Sequence, residues 1–507
     1  MQSIGNFLKL FAITFLLSIT ISHVHAQKYD NKWMMGYQYA PWQAYPALDF
    51  YFGAPDTIGY YGFFPMFGTC TSICNSQGLL QFYTNGIKVA NKYDAPLFNA
   101  DTFNIDPFTA NSSSLQIDQL AITLPSPGST DEYLIFHIGA ILPPGTNFLF
   151  PNNLRMSKVD MTLQGGAGEM VVKRQIIIND TLTYRTLNAV KHGNGRDWWV
   201  VIGKSESDQF YSVLVTPNGI DTIILSGNGA TFSLGGPIRG QSTFSPDGNL
   251  FAFTSSNLAT PIAENKLVIY NFDRCSGEFD FRDSMVFDTS QDSAIFGCAF
   301  SPNSRYIYTN TWYDLYQIDL LSQPLNRKFI APFDGFTDPF LNVFYRMQFG
   351  PDNKIYMTTW GSSRYLHVIN DPNQQDTLCN FVQHQLKVIS PIGSTLPLFP
   401  YFRLGAALGS GCDTLTVGIL EYNTKTLEMQ SHFENGNLHM NFNQTLNGEI
   451  NYSIYNVSGQ ILHHSRKQMY NDDRFTVSGL DNLINGIYFI QLRNKKNNIN
   501  EKFIVTQ

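Results

Sequence analysis

TFSPDGNLFAFTSS, residues Thr243 to Ser256, is the stretch that most strongly indicates the fold. A Ser-Pro-Asp-Gly turn leads into a strand of alternating large residues. Two later segments repeat this order: AFSPNSRYIYTNTW at Ala299 to Trp312 and QFGPDNKIYMTTWG at Gln348 to Gly361. Pro at the second turn position, followed by Asp or Asn, favours a tight turn that closes a hairpin. The three segments therefore predict one repeated strand, turn and strand unit.

The spacing of the repeats indicates how many strands each unit holds. Ser245 and Ser301 are 56 residues apart, and Ser301 and Gly350 are 49 apart. A period of about 40 to 50 residues with four strands is typical of β-propeller blades. After the repeats come KLVIYNFD, DLYQIDLL and YLHVINDP, which we interpret as third strands. A β-sandwich or a β-solenoid array is the competing fold.

Earlier segments follow the same pattern less regularly. LLQFYTNGIKVAN, from Leu79 to Asn91, contains a strand, an Asn-Gly hairpin turn and a second strand. DEYLIFHIG, LRMSKVDM, DWWVVIGK and FYSVLVTPNG continue at similar intervals. We therefore expect a propeller of about seven blades over residues 27–411, with six and eight blades as the alternatives.

Composition supports an all-β protein. Of the 507 residues, 14% are charged and 14% are aromatic, whereas about 25% are charged in a typical soluble protein. Surface helices need charged side chains on their solvent-facing sides, and so few charged residues could supply only a few such helices. The net charge of −7 comes without a long basic run, so we expect no nucleic-acid partner. No stretch of the mature chain is apolar for about 18 residues, so we expect no transmembrane span there.

The N-terminal residues 1–26 have the pattern of a signal peptide. Lys9 precedes the apolar run from Leu10 to Ile21, and Val24-His25-Ala26 offers small residues for cleavage before Gln27. An uncleaved membrane anchor is the alternative, although the run is short for a bilayer. Export would also permit disulfides. Six cysteines allow 15 connectivities, and two local candidates are Cys70 with Cys74 and Cys379 with Cys412.

A second domain follows a linker at residues 412–430. Over residues 431–507 the sequence contains NLHMNF, EINYSIYN, QILHH, FTVSGL and two terminal apolar runs. Alternation places Leu438, Met440 and Phe442 on one strand face, and Ile450, Tyr452 and Ile454 on another. Six or seven short antiparallel strands of this kind predict a small β-sandwich. We expect Ser458-Gly459 to form a hairpin turn and the last strand to begin at Lys502 and Phe503.

The first domain resembles a known class. FSPDGNLFAF, FSPNSRYIYTNTWYDLYQIDL and FPYFRLGAALGSGCDTL are similar to segments of secreted propeller proteins of Bacteroidetes-type bacteria, with WD-repeat-like and TolB-like blades. This likeness covers nearly all of residues 33–415. It implies the fold and says little about function.

The second domain resembles the type A sorting domain of the type IX secretion system. IYNVSGQIL, VSGLDNLINGIYFIQL and EKFIVTQ carry the likeness, which implies an outer-membrane secretion machinery as partner and an extracellular or cell-surface destination through the periplasm. Such domains usually open with Asn-Pro, which is missing here. An immunoglobulin-like adhesion sandwich is the alternative. The matching positions are Tyr455, Asn456, Gly459 and Gln460; then Gly486, Ile487 and Tyr488; then Lys502, Phe503, Ile504 and Val505.

The sequence offers no catalytic motif, and we expect no cofactor and no metal. No G-x-S-x-G elbow and no H-E-x-x-H helix occurs, and His137, His192, His367 and His384 are isolated in the sequence. The most conspicuous cluster is Arg196, Asp197, Trp198 and Trp199. It could bind a sugar or a peptide at a propeller mouth, or it could pack between blades.

Three functions agree with this sequence. The first is a non-enzymatic secreted or surface platform that binds an unknown extracellular protein or glycan. The second is a hydrolase or lyase that acts on an extracellular polymer in the propeller channel, with Asp160, Asp197 and Asp314 as the first candidates. The third is a structural component of a surface layer.

Overall fold

The computed structural model divides the chain into two compact units, Met1–Leu415 and Thr416–Gln507. The expected signal peptide, most of the expected linker and the expected Ser458-Gly459 turn lie outside the described residues. The domain boundaries expected from the sequence therefore stay predictions. The structure describes residues 27–505 except 39, 41, 105, 107, 108, 110, 111, 116, 142–149, 228–239, 257–264, 288–293, 414–428, 458, 459 and 494–497.

The first unit is a β-propeller of seven antiparallel sheets, each built from strands that are consecutive in the chain. This confirms the propeller and the expected number of blades. The first two blades have three strands each. Blade one is β1 (Lys32–Met34), β2 (Tyr45–Asp49) and β3 (Asp56–Tyr60), and blade two is β4 (Thr71–Cys74), β5 (Leu80–Thr84) and β6 (Val89–Asn91).

Blades three to five have four strands each. Blade three is β7 (Ala121–Pro125), β8 (Glu132–Ile141), β9 (Phe150–Asp160) and β10 (Glu169–Asn179); blade four is β11 (Asn188–Lys191), β12 (Trp198–Gly203), β13 (Phe210–Thr216) and β14 (Gly219–Ser226); blade five is β15 (Ser242–Phe244), β16 (Leu250–Ser255), β17 (Asn265–Phe272) and β18 (Phe279–Phe287).

Blades six and seven complete the ring, also with four strands each. The three segments that were interpreted as third strands are β17, β21 and β25, as expected. Within the described residues, two short 3-10 turns, Gln164–Gly166 and Asp376–Cys379, lie in the connections that precede the fourth strands of blades three and seven. Blade six is β19 (Cys298–Phe300), β20 (Tyr306–Asn310), β21 (Asp314–Asp319) and β22 (Arg327–Pro332); blade seven is β23 (Phe344–Phe349), β24 (Ile355–Thr359), β25 (Ser363–Ile369) and β26 (Phe381–Ile392).

The repeated turn, Ser-Pro-Asp in blade five and Ser-Pro-Asn in blade six, joins the first and second strands of these blades. In blade five, the N–H of Ser245 donates to the carbonyl of Leu250 (2.9 Å), and the N–H of Leu250 donates to Ser245 Oγ (3.0 Å). Ser301 and Tyr306 repeat both bonds at 2.8 and 2.9 Å in blade six. The serine therefore closes the hairpin with both its backbone and its side chain.

The fourth position of this turn is left-handed in all three repeats. Gly248, Ser304 and Asn353 have φ angles of 75°, 58° and 65°. Glycine adopts this region freely, and Asn reaches it more readily than most residues do. This requirement explains why small or turn-forming residues follow the Asp or Asn in each copy.

The propeller is closed by the segment that follows β26. The N–H of Leu398 donates to the carbonyl of Cys70 (3.1 Å), and Arg403 pairs with Asp30 through two bonds of 2.8 Å. Residues near the two ends of the propeller are thus held together. A disulfide between Cys275, in the turn after β17, and Cys412 fixes the end of the segment.

This disulfide corrects both candidate pairings. Cys70 and Cys74 are free and buried, because Cys70 directly precedes strand β4 and Cys74 ends it, so three residues of extended chain separate them. Cys379 is also free and buried, in the core between blades six and seven. Cys412 instead reaches blade five, which the sequence separation of 137 residues concealed.

The second unit is all-β, with one five-stranded sheet in the order β27-β28-β30-β31 and β29 paired to β28. The structure has fewer and longer strands than the six or seven expected, because NLHMNF and EINYSIYN form one 20-residue strand with an irregularity after Asn441. The last strand begins at Asn498, four residues before Lys502, because Asn498 already pairs with Arg493. The strands are β27 (Met429–Glu434), β28 (Asn437–Asn456), β29 (Ile461–Val477), β30 (Gly486–Arg493) and β31 (Asn498–Val505).

The alternating faces of β28 are buried as the sequence indicates. Leu438, Met440, Ile450 and Ile454 are each at most 1% exposed and belong to one hydrophobic core. Within the described part of the whole chain, no helix has the length and apolarity needed to cross a membrane.

Candidate functional site

The cluster noticed in the sequence lies at the start of β12 in blade four. Asp197 accepts bonds from Arg196 Nε (2.7 Å) and Asn194 Nδ2 (2.8 Å). The indole N–H of Trp199 donates to the carbonyl of Arg274 (2.9 Å). Trp198 and Trp199 are each 1% exposed, so neither indole presents an open stacking face to solvent. Ligand binding by this cluster stays a prediction.

The carboxylates suggested for catalysis are spread around the ring. Asp160 ends β9 in blade three, Asp197 precedes β12 in blade four, and Asp314 begins β21 in blade six. His367 and His384 do approach each other, with ring centroids 4.8 Å apart, but they lie on β25 and β26, the two outer strands of blade seven. Burial lowers the pKa of His367 to about 3, so its ring is neutral.

A buried ion cluster occupies the central channel. Asp118, 4% exposed, precedes β7 and accepts a bond from Arg185 Nε at 2.6 Å, and its other oxygen pairs with Arg346 of blade seven. Burial alone would raise the pKa of Asp118. The two guanidinium groups outweigh burial and lower this pKa, so the carboxylate stays charged.

Two glutamines extend this cluster across the channel. Gln119 exchanges two 3.0 Å bonds with the backbone of Ser242, which joins blades three and five. Gln241 bonds in the same way to the backbone of Met347, which joins blades five and seven. Because these blades are not neighbours, the bonds pass across the axis.

The closing segment fills the rest of this space. Thr395, Leu396 and Leu398 line the same cavity as Asp118 and Arg346, and the cavity measures only about 10 Å³. This is room for about one water molecule. The channel at this level is therefore packed with paired polar groups and cannot hold a polymer.

An aromatic cluster, defined by Phe296, Trp312, Tyr345 and Trp360, lies between blades six and seven. Trp312 stacks on Phe296 at 5.2 Å and 13°, and Tyr345 meets Trp360 edge to face at 4.9 Å. The indoles of Trp312 and Trp360 are 6.3 Å apart. Trp360 is 47% exposed, so the cluster presents one tryptophan to solvent.

Buried contacts hold this aromatic cluster in place. The guanidinium of Arg346 lies 4.3 Å from the centroid of Tyr345 and donates to the Phe296 carbonyl (2.8 Å) and to the Tyr345 hydroxyl (3.0 Å). The backbone N–H of Trp360 donates to Val343 (3.2 Å). The same arginine therefore links the channel ion cluster to the aromatic cluster.

Polar groups flank the exposed tryptophan. Arg364, in β25, pairs with Asp338 at 3.0 Å, and both side chains are partly exposed. Ser362 contacts the hydroxyl of Tyr37. Phe340 and Leu341, 59% and 49% exposed, lie on the connection that precedes β23. This surface thus combines an aromatic face with hydrogen-bonding groups.

Sequence reasoning missed this aromatic cluster although the signal was present. Trp312 and Trp360 both lie just after the second strand of their repeats, in TNTW and TTWG. The connection from the second to the third strand emerges at the same end of every blade. The two tryptophans of neighbouring blades therefore meet.

The residues expected to form the three sorting motifs lie on neighbouring strands of the second unit. Asn456 of β28 is the ladder partner of Tyr488 in β30, and Tyr488 is the partner of Phe503 in β31. Gly486 and Ile487 pair in the same way with Val505 and Ile504. Lys502 pairs with Phe489.

Two hydrogen bonds join Asn456 and Gln460 of the first expected motif. The N–H of Gln460 donates to Asn456 Oδ1 (3.0 Å), and the N–H of Asn456 donates to the Gln460 carbonyl (3.1 Å). Tyr455 donates from its hydroxyl to Gln491 (3.3 Å). Gly459, between these residues, lies outside the described part of the chain.

Comparison with known proteins identifies this second unit. The family model for the secretion system C-terminal sorting domain matches residues 434–506. No curated protein matches the sequence significantly.

Solved structures resemble the chain only distantly. A functionally unknown protein from Desulfotomaculum acetoxidans is 14% identical with a TM-score of 0.37, covering 73% of this chain and 100% of that one. A candidate 6-phosphogluconolactonase from Bacteroides uniformis is 9% identical with a TM-score of 0.41, covering 72% and 98%. A candidate TolB from Agrobacterium tumefaciens is 13% identical with a TM-score of 0.28, covering 54% and 83%. These likenesses are too weak to bear on function.

The family match has a direct consequence for the destination of the protein. A sorting domain of this kind implies interaction with the type IX secretion machinery. The chain therefore carries a seven-bladed β-propeller and a type IX secretion system C-terminal sorting domain, which directs it to the cell surface or the extracellular space.

Proposed function

We propose that this protein is a secreted or cell-surface binding platform whose propeller binds an extracellular glycan at the aromatic cluster. The observation that carries the proposal is the exposed indole of Trp360, braced by Tyr345 and Trp312. A ring that is already held in place loses little conformational freedom when a ligand stacks on it. Such a ring suits the flat, weakly polar face of a sugar.

The surroundings favour a neutral glycan over other ligands. Arg364, four residues after Trp360, and its partner Asp338 offer donors and acceptors, as sugar hydroxyls require. The net charge of −7 disfavours a polyanion. The exposed apolar side chains of Phe340 and Leu341 would also suit a protein partner, so the experiment must separate these two ligand classes.

The channel gives little support to the alternative of a hydrolase or lyase. Asp118 is paired with two arginines, and each glutamine beside it is bonded to backbone. A general acid or base needs a titratable group that can reach the substrate. Among the described residues, the contacts on the propeller axis leave no titratable group free for this role.

The test is glycan binding by the secreted protein and by a Trp360→Ala variant. We expect a neutral oligosaccharide to bind the wild-type protein and to bind the variant at least tenfold more weakly. Equal binding by the two proteins would refute the site.

A further inference from the structure

A second pocket lies on the propeller away from the aromatic cluster, between the turn after β7 and the turn after β11. Its volume is about 230 Å³, enough for a small molecule and too small for a polymer. The residues that matter for its chemistry are Gln27, Ser126, Ser129, Lys191, Arg196 and Trp198. Two of them, Arg196 and Trp198, belong to the cluster noticed in the sequence.

Lys191 is a buried cation in this pocket. It is 4% exposed, and its Nζ donates to Gln27 Oε1 (2.5 Å) and to the carbonyl of Gly195 (3.2 Å). The same Nζ lies 5.4 Å from the ring centroid of Trp198. Among the residues that the structure describes, no carboxylate lies within 4.0 Å of it.

A second buried cation lies beside Lys191. Arg274, 6% exposed, donates to the carbonyls of Lys191 (2.9 Å), His192 (3.2 Å) and Gly405. Burial, and then the charge of Arg274, lower the pKa of Lys191 to about 8. Arg274 does not itself line the pocket, and no Asp or Glu is among the described residues that do, so no carboxylate of the lining balances the charge of Lys191.

Buried charges are normally paired, because an unpaired one loses its hydration without compensation. A ligand with one negative charge would supply the missing partner for Lys191. Ser126, Ser129 and Gly195 line the same space, and serine hydroxyls can bond to ligand hydroxyls.

We propose that this pocket binds a small hydroxylated organic acid, such as a sugar acid, whose carboxylate pairs with Lys191. Arg196 also lines the pocket, but its charge is already paired with Asp197. The site is independent of the aromatic cluster, because the two share no residue.

The test uses the mature full chain and two probes that differ mainly in charge, glucuronate and glucose. At constant ionic strength, glucuronate should bind in calorimetry and raise the thermal unfolding temperature, and glucose should do neither at this pocket. Lys191→Met keeps an unbranched side chain, one heavy atom shorter, and removes its charge, so binding of glucuronate should weaken at least tenfold. Trp360→Ala should bind glucuronate as the wild-type protein does.

Three results would overturn the proposal: no binding of glucuronate to the wild-type protein, equal binding of glucose and glucuronate, or undiminished binding by Lys191→Met. If Lys191→Met does not fold, the comparison of the two probes on the wild-type protein decides. Loss of glucuronate binding in Trp360→Ala alone would place the acid at the aromatic cluster and would equally refute this pocket.

Discussion

Tyr488 and Phe503 are direct partners across the ladder between β30 and β31, with ring centroids 5.7 Å apart and an interplanar angle of 25°. The two residues come from different sorting motifs, and Tyr488 also pairs with Asn456 of the first motif. The three expected motifs therefore come together only when the sheet is folded.

The pairing of Tyr488 with Asn456 and Phe503 leads to a prediction about export. Tyr488→Ala removes a buried ring and should destabilise the sorting domain by about 3 kcal/mol. The protein should then accumulate in the periplasm, as it should when residues 434–506 are deleted. Cell fractionation with immunodetection measures both. Tyr470→Ala is the matched control, because Tyr470 is 75% exposed on β29. Normal release of the deletion variant would contradict the role of this domain.

The disulfide between Cys275 and Cys412 should stabilise the closed propeller. Replacing both cysteines by serine should lower the free energy of unfolding by about 2 to 4 kcal/mol, because the bond closes a long loop in the unfolded chain. Denaturant titration measures this loss, and reductant should have no further effect on the variant. Peptide mapping should show this single bond and four free thiols. A bond between Cys70 and Cys74 would contradict the structure.

Asp118 should make stability depend on pH. Its pKa is lowered in the folded state, so its contribution is complete above its unfolded pKa of about 4 and is lost as the pH falls through the lower folded value. Asp118→Asn should cost about 3 to 5 kcal/mol at neutral pH, because Arg185 and Arg346 lose their counter-ion.

The variant should also lose stability less steeply than the wild-type protein in acid. Thermal unfolding between pH 2 and pH 7 measures both effects. Asp221→Asn, at an exposed position of β14, is the control and should change little. If Asp118→Asn is as stable as the wild-type protein at pH 7, the channel cluster does not hold the blades together.

Much of the fold can be predicted from local sequence. The turns at Ser245 and Ser301 need particular residues at particular positions, and the left-handed φ at Gly248 and Ser304 limits the choice further. These are short-range requirements, so they repeat visibly along the chain. The strands of the second unit were less predictable, because the irregularity after Asn441 lets one strand continue where two were expected.

The contacts that define the sites join residues that are far apart in the sequence. Local sequence patterns therefore do not predict them. Asp118 and Arg346 belong to blades three and seven, and Cys275 is 137 residues from Cys412. Trp312 and Trp360 are visible as residues, but only the ring of blades places them together. The indoles of Trp198 and Trp199, for which the sequence allowed either ligand binding or packing between blades, are covered by Phe402 and the blade-five core.

The exposed indole of Trp360 is where the proposed function can be tested most directly. A broad array of neutral glycans should identify an oligosaccharide that binds the wild-type propeller, and calorimetry should then give its affinity. Trp360→Ala should weaken that affinity at least tenfold, because a central aromatic side chain often contributes 1 to 2 kcal/mol or more, on the order of tenfold in affinity. Tyr93→Ala, which removes a 66% exposed ring on blade two, should bind normally. Binding of no glycan, equal binding by Trp360→Ala, or capture only of a protein through Trp360 would contradict the account.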